Sequence, residues 1–153
     1  MAAGFDESFK ELEDSVMEDM RKIYSERVID HFLNPRNLGK IQAADGFGRV
    51  TGPCGDTIEI YLKIKGGKVT NATFRTDGCG PSIASGSMVT ELVEGKSIGE
   101  AQKITQDDIL NALGGLPEES LHCALLAANT LREAIKDYLA FKKESWKRAY
   151  RTG

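Results

Sequence analysis

Gly52-Pro53-Cys54-Gly55-Asp56 sets a thiol and a carboxylate two residues apart, in a stretch held by glycines and a proline. Such a turn can aim both side chains at one point, because glycine reaches backbone angles that other residues resist. Two further cysteines stand in Asp77-Gly78-Cys79-Gly80-Pro81 and in Leu121-His122-Cys123, and the chain has only these three. Three thiols and one carboxylate form a four-donor set for a soft metal in which one donor is poor. Thiolates select zinc and iron–sulfur centres, whereas carboxylate oxygen is a harder ligand. A cluster kept for storage or electron transfer usually takes four cysteines. One oxygen in the set therefore points to a labile thiolate metal site, built and then given up. Each residue also has an ordinary role. Scattered cysteines pack in cores, and an aspartate before a strand caps an Asx turn. His122 adjoins Cys123, and neighbours in a helix face different ways. It reads as a fourth ligand exchanging with Asp56, as a donor to a ligand, or as a surface or capping histidine.

The elements that must position these groups follow from periodicity. Phe5, Phe9, Leu12, Val16, Met20 and Ile23 recur at helical steps opposite an acidic face. The pattern continues through Tyr24, Val28 and Phe32 and stops at Asn34-Pro35, since proline disfavours helix at the residue before it. Packing on its own domain is the default for this helix; a partner-binding arm or dimer contact is the alternative. Residues 34–48 read as loop, with Gly39, Gly46 and Gly48. Short β-rich runs follow over 47–51, 57–64 and 69–76; Ile58, Ile60, Leu62 and Ile64 alternate in the second, and Val69 and Phe74 are core candidates in the third. Gly66-Gly67 marks a tight hairpin. Cys54 thus lies just before one strand and Cys79 just after its partner, which makes them neighbours across the hairpin.

A helix is expected over 81–94, with Pro81 at its first position, Gly80 as cap and Gly95 closing it. A short helix over 105–113 carries Asp107 and Asp108 in its first turn. After the Gly114-Gly115 break, Pro117-Glu118-Glu119 opens the last helix. Its apolar stripe is Leu121, Leu125, Ala128, Leu131, Ile135, Tyr138 and Leu139, running on through Phe141 and Trp146 to a basic end at Lys142, Lys143, Lys147 and Arg148. Cys79 lies ahead of one helix N-terminus and Cys123 in an early turn of another. Both positions are expected to favour the thiolate, through unpaired N–H groups and the helix dipole. Thiolates bind iron and zinc and also attack sulfur, so the site suits both metal binding and acceptance of sulfur as a persulfide.

Composition bounds the answer. The 153 residues suit one domain. Hydrophobic residues make up 41% and charged residues 28%, ordinary for a globular chain. A net charge of −3 points to neither nucleic acid nor a membrane surface. No apolar run approaches the roughly 18 residues of a spanning helix. The start, Met1-Ala2-Ala3-Gly4-Phe5-Asp6-Glu7, lacks the basic and apolar regions of an export signal, so a cytoplasmic location is expected. An odd number of cysteines there argues against a disulfide framework.

At these residues the chain resembles the IscU/NifU-type scaffolds for iron–sulfur cluster assembly. The resemblance rests on the stretch from Tyr24 to Gly39 that contains Asp30-His31-Phe32-Leu33-Asn34-Pro35-Arg36-Asn37, on Gly52-Pro53-Cys54-Gly55-Asp56, on Gly78-Cys79-Gly80 leading into Ile83-Ala84-Ser85-Gly86-Ser87, and on Leu121-His122-Cys123-Ala124-Leu125-Leu126-Ala127. It implies an α+β fold of SufE/NifU-like type, a small three-stranded antiparallel sheet with helices packed on it and a long C-terminal helix. It implies cluster ligation by Cys54, Asp56, Cys79 and Cys123 with His122 beside them, and Cys123 as sulfur acceptor. It further implies a transient [2Fe–2S] cluster, iron entry, sulfur from a pyridoxal-phosphate cysteine desulfurase, and hand-over to apo-proteins. On this reading the chain divides into a helical extension (1–23), the scaffold domain (24–140) and a basic tail (141–153), the extension serving self-association into a homo-oligomer. Leu116-Pro117-Glu118-Glu119-Ser120 stands where Isc-type members carry Leu-Pro-Pro-Val-Lys, so the resemblance does not carry over that recognition site for an Hsp70-type chaperone. The spacing of 44 from Cys79 to Cys123 leaves no room for the insertion typical of the zinc-dependent SufU branch.

Two other readings use the same residues. A zinc-bound sulfurtransferase would accept persulfide sulfur and pass it on, with Zn2+ in the same four-ligand tetrahedron. A structural zinc domain would unfold on chelation, although the apolar content suffices for a core without metal.

Overall fold

A computed structural model describes the backbone of residues 2–143 and the side chains of residues 8–142. Phe5 in the first apolar stripe, and Lys143, Trp146, Lys147 and Arg148 at the basic end, fall outside the described side chains. The order is α1 (Ala2–Ile23), α2 (Glu26–Leu33), β1 (Gly46–Thr51), β2 (Thr57–Lys65), β3 (Lys68–Thr76), α3 (Gly80–Val93), α4 (Ile98–Ala101), α5 (Gln106–Leu113), a 3-10 turn (Glu118–Ser120) and α6 (Leu121–Lys143). The three strands form an antiparallel meander in the order β1-β2-β3. Gly66 and Gly67 both adopt positive φ in the β2–β3 turn, the left-handed conformation a two-residue hairpin needs.

Alternation decides which face of the sheet is covered. Ile58, Ile60 and Leu62 of β2, with Val69, Ala72 and Phe74 of β3, point into the core, where α3 and α6 pack on them. Arg49, Glu59 and Arg75 line up across the three strands on the other, open face. Two glycines set how closely the helices approach. A Cβ on Gly86 of α3 would stand 2.7 Å from Phe74 Cε2, and a Cβ on Gly48 of β1 would stand 2.6 Å from the Ala134 backbone nitrogen of α6.

The first expected helix is in fact two. Ser25 interrupts it: its hydroxyl accepts from the Val28 N–H as N-cap of α2 and donates to the Leu113 carbonyl at the end of α5. Arg27 donates to the Ala112 carbonyl at 3.0 Å, so α2 is tied to α5 by two contacts that periodicity does not reveal. The break leaves α1 projecting. Among the described residues its apolar stripe is largely exposed: Phe9, Leu12, Val16 and Ile23 are all about half exposed or more, while Met20 borders a cavity with Tyr24, Val28 and Phe32.

Residues 34–48 are also more ordered than a loop. Asn37 takes φ 60, and around it Phe74 N–H donates to Asn37 O and Gly39 N–H to Phe74 O, so Leu38 forms a parallel bridge along the free edge of β3. β1 already begins at Gly46. The stretch containing His31 and Arg36 acts as a clasp on α3: His31 Nδ1 lies 2.7 Å from Ser87 Oγ, and Arg36 pairs with Asp30 at 2.6 Å and Glu91 at 3.3 Å. Burial, helped by the Arg36 charge, holds His31 below the ordinary histidine pKa. Among the described residues no helix is long and apolar enough to cross a membrane.

Candidate metal centre

Three loops and helix starts converge at one end of the sheet. The first is the β1–β2 turn, closed by hydrogen bonds from Gly52 N–H to Asp56 O (2.8 Å) and from Gly55 N–H to Gly52 O (3.0 Å). Gly55 has φ 87, which an L side chain would resist, so the glycine after Cys54 is what lets the turn reach Asp56. The second is the β3–α3 connection. Cys79 itself is the N-cap of α3, with Gly80 and Pro81 as the first two helical residues, one position earlier than the sequence pattern places them. The third is the first turn of α6, which starts at Leu121 after the 3-10 turn at Glu118–Ser120.

The expected closeness of the Cys54 and Cys79 loops is seen in their backbones. Thr57 N–H donates to Asp77 Oδ1 at 2.8 Å, and Gly78 lies against Asp56 so tightly that a Cβ there would stand 2.9 Å from Asp56 Oδ2. The N–H that opens β2 is thus satisfied by Asp77 across the hairpin and not by Asp56. Asp56 turns inward and accepts from Ser82 Oγ at 3.0 Å. The same Ser82 oxygen lies 3.5 Å from Cys123 Sγ.

Donor atoms of Asp56, His122 and Cys123 all lie within 4.8 Å of one another. This corrects the expectation that His122 and Cys123 point apart. In the first turn of α6, His122 Nε2 comes to 3.7 Å from Cys123 Sγ. Cys54 and Cys79 are exposed and their thiols stand outside this compact group. They are nonetheless close enough for their charge to act on Cys123.

Cys123 behaves differently from the helix-start expectation. It is 1% exposed, and burial pushes its thiol above the ordinary cysteine pKa. The Ser82 hydrogen bond works against this, while negative charge on Cys79, Asp56 and Cys54 adds to it. Desolvation outweighs the helix N-terminus here. The same three negative donors that raise this proton's affinity would favour a cation in its stead, because a ligating thiol gives up its proton to the metal.

Ser82 is the residue that sequence reading missed. It is fully buried, and its contacts are set by tertiary approach. The only hint in the sequence is its place just inside a helix that a cysteine caps.

An α+β domain with a mixed sulfur, oxygen and nitrogen donor set at one end of a three-stranded meander is the class that fold and site define. Residues 23–145 match the NifU-like N-terminal domain, and the chain belongs to that family. It is 53% identical over 117 residues to "Iron-sulfur cluster assembly scaffold protein IscU 1" of Archaeoglobus fulgidus, covering 76% of each chain. Over 120 residues it is 47% identical to "Iron-sulfur cluster assembly scaffold protein IscU" of Escherichia coli (strain K12), covering 75% of this chain and 93% of that one. The fold is shared with the crystal structure of a NifU-like N-terminal domain from Brucella abortus, at a TM-score of 0.61 and 22% identity, over 77% of this chain and 95% of that one.

Proposed function

We propose that this protein is a scaffold on which a [2Fe–2S] cluster is assembled from iron and desulfurase-derived sulfur and from which it passes to apo-proteins. The observation that carries the reading is the convergence of Asp56 and Cys123, with Cys54 and Cys79 in the adjoining turns, at one end of the fold in a member of this family. Cys54, Asp56, Cys79 and Cys123 are the ligands, with His122 as alternative to Asp56. The two exposed thiols present the cargo outward, and the two inner donors anchor it. The protein acts as carrier and not as enzyme, in the cytoplasm, with a cysteine desulfurase and apo iron–sulfur proteins as partners. The 1–23 extension serves self-association, apart from the 24–140 domain and the 141–153 tail.

Cys123 is the sulfur acceptor. Its thiolate attacks the outer sulfur of a donor persulfide; a new S–S bond forms on Cys123 as the donor cysteine leaves as thiolate, with no net redox change. Reduction of that sulfur to sulfide takes two further electrons from an added reductant.

The test is anaerobic reconstitution with ferrous iron, cysteine, a cysteine desulfurase and dithiothreitol, read by visible absorption, followed by transfer to apo-ferredoxin. A cluster that forms and then moves to ferredoxin is the expected result. Persulfide on a protein that retains Zn2+ and forms no cluster would instead make it a zinc-bound persulfide carrier.

A further inference from the structure

The metal centre has two candidates for its one non-thiolate ligand, and the geometry treats them unequally. Asp56 is held: Ser82 Oγ donates to Oδ2 at 3.0 Å. Ser82 is itself fully buried near the start of α3. The absence of a side chain at Gly78 keeps this approach open, since a Cβ there would stand 2.6 Å from Ser82 Oγ and 2.9 Å from Asp56 Oδ2. A hydroxyl has one proton to donate. The contact to Oδ2 is the shorter of the two this hydroxyl makes, and it leaves Oδ1 without that hydrogen bond. The same hydroxyl is the alternative donor to Cys123 Sγ, at 3.5 Å, and so couples the carboxylate to the inner thiol. His122 has a weaker hold. Among the described residues its one polar contact is the 3.7 Å approach of Nε2 to Cys123 Sγ, with no partner on the other ring nitrogen to set the orientation of the imidazole.

We infer that Ser82 is a positioning residue that selects Asp56 over His122 as the non-thiolate ligand, by clamping Oδ2 of the carboxylate and presenting Oδ1 beside Cys123. The inference rests on the metal-site reading above. It concerns which of two donors binds, and hydrogen-bonding partners of ligating groups commonly set this. Without the hydroxyl, the Asp56 carboxylate is free to turn to solvent, and the imidazole 3.7 Å from the sulfur takes its position.

The test uses Co2+ as probe in place of a cluster, on the full chain, with binding read by titration and by the visible bands of the bound ion. In the wild type, His122→Ala is expected to change Co2+ affinity by less than about twofold and to leave the bands in place. Ser82→Ala is expected to shift the ligand-field bands to shorter wavelength, as a nitrogen donor replaces oxygen. In the Ser82→Ala background, His122→Ala then lowers affinity by about tenfold, the scale of a disturbed ligand shell. Unchanged bands in Ser82→Ala, or an equal cost of His122→Ala in both backgrounds, would overturn the role of Ser82 while leaving the metal site standing. Absence of sulfur-to-cobalt bands in the wild type would remove the metal site itself, and the selection with it.

Discussion

At the scale of single residues, the proposed function divides the chemistry between an anchor and a weak ligand. On that reading Cys123 is the sulfur acceptor, a buried thiol whose pKa burial pushes up. Cys123→Ser is therefore expected to abolish persulfide acceptance, measured by mass spectrometry after incubation with desulfurase and cysteine. Undiminished labelling would move the acceptor to the exposed Cys54 or Cys79. As a ligand, Asp56 would contribute an oxygen to a sulfur-rich set, which would loosen the hold on a soft ion. Asp56→Ala is expected to slow cluster transfer to apo-ferredoxin by about tenfold while assembly proceeds, on the scale that altered ligand shells produce. Faster loss of the cluster in that variant would contradict the lability argument.

At the scale of elements, the site is only as well defined as the packing of α6 on β1. Cys123 is in the first turn of α6, and the same helix lies on β1 through Gly46 and Gly48 farther along. A Cβ at Gly48 would press on the Ala134 backbone nitrogen at 2.6 Å and still closer on the Thr130 carbonyl, both backbone atoms that cannot swing aside. Gly48→Ala is expected to cost about 1–3 kcal/mol, the usual range for overpacking. A lowered midpoint in urea unfolding with an unchanged slope would show it. A midpoint equal to wild type would mean that α6 can shift without penalty. The face that α6 buries runs through Cys123, Ala124, Ala127, Leu131, Ala134 and Ile135; Leu125, counted in the expected stripe, is 42% exposed. Small residues on that face allow the close approach that large ones in a regular stripe would prevent.

At the scale of the molecule, α1 stands apart. Removing residues 1–23 is expected to leave the unfolding midpoint of the domain unchanged, because Phe9, Leu12 and Val16 contribute little to the core. The same deletion is expected to reduce self-association in sedimentation velocity. An unaltered oligomeric distribution would remove that role from the extension. Tyr24 stays with the domain, packed against its core beside Ser25, and the family match begins there, at residue 23.

Much of this architecture was legible in the chain alone, for a local reason. The alternation at Ile58, Ile60 and Leu62, the Gly66-Gly67 turn and the acidic first turn at Asp107 and Asp108 are written within a few residues of where they act. The donor types were legible too, because a thiol and a carboxylate two residues apart among glycines are read directly from the chain. The tertiary structure decided what depends on residues far apart. It broke the first helix at Ser25 through a contact with Leu113, and left the α1 stripe exposed. It also brought His122 to Cys123 and Asp56, and raised the Cys123 pKa through burial that no spacing discloses. Ser82 belongs to that second group. A serine between a proline and an isoleucine carries no signal of its own, and becomes meaningful only where Asp56, 26 positions earlier, and Cys123, 41 positions later, meet its hydroxyl.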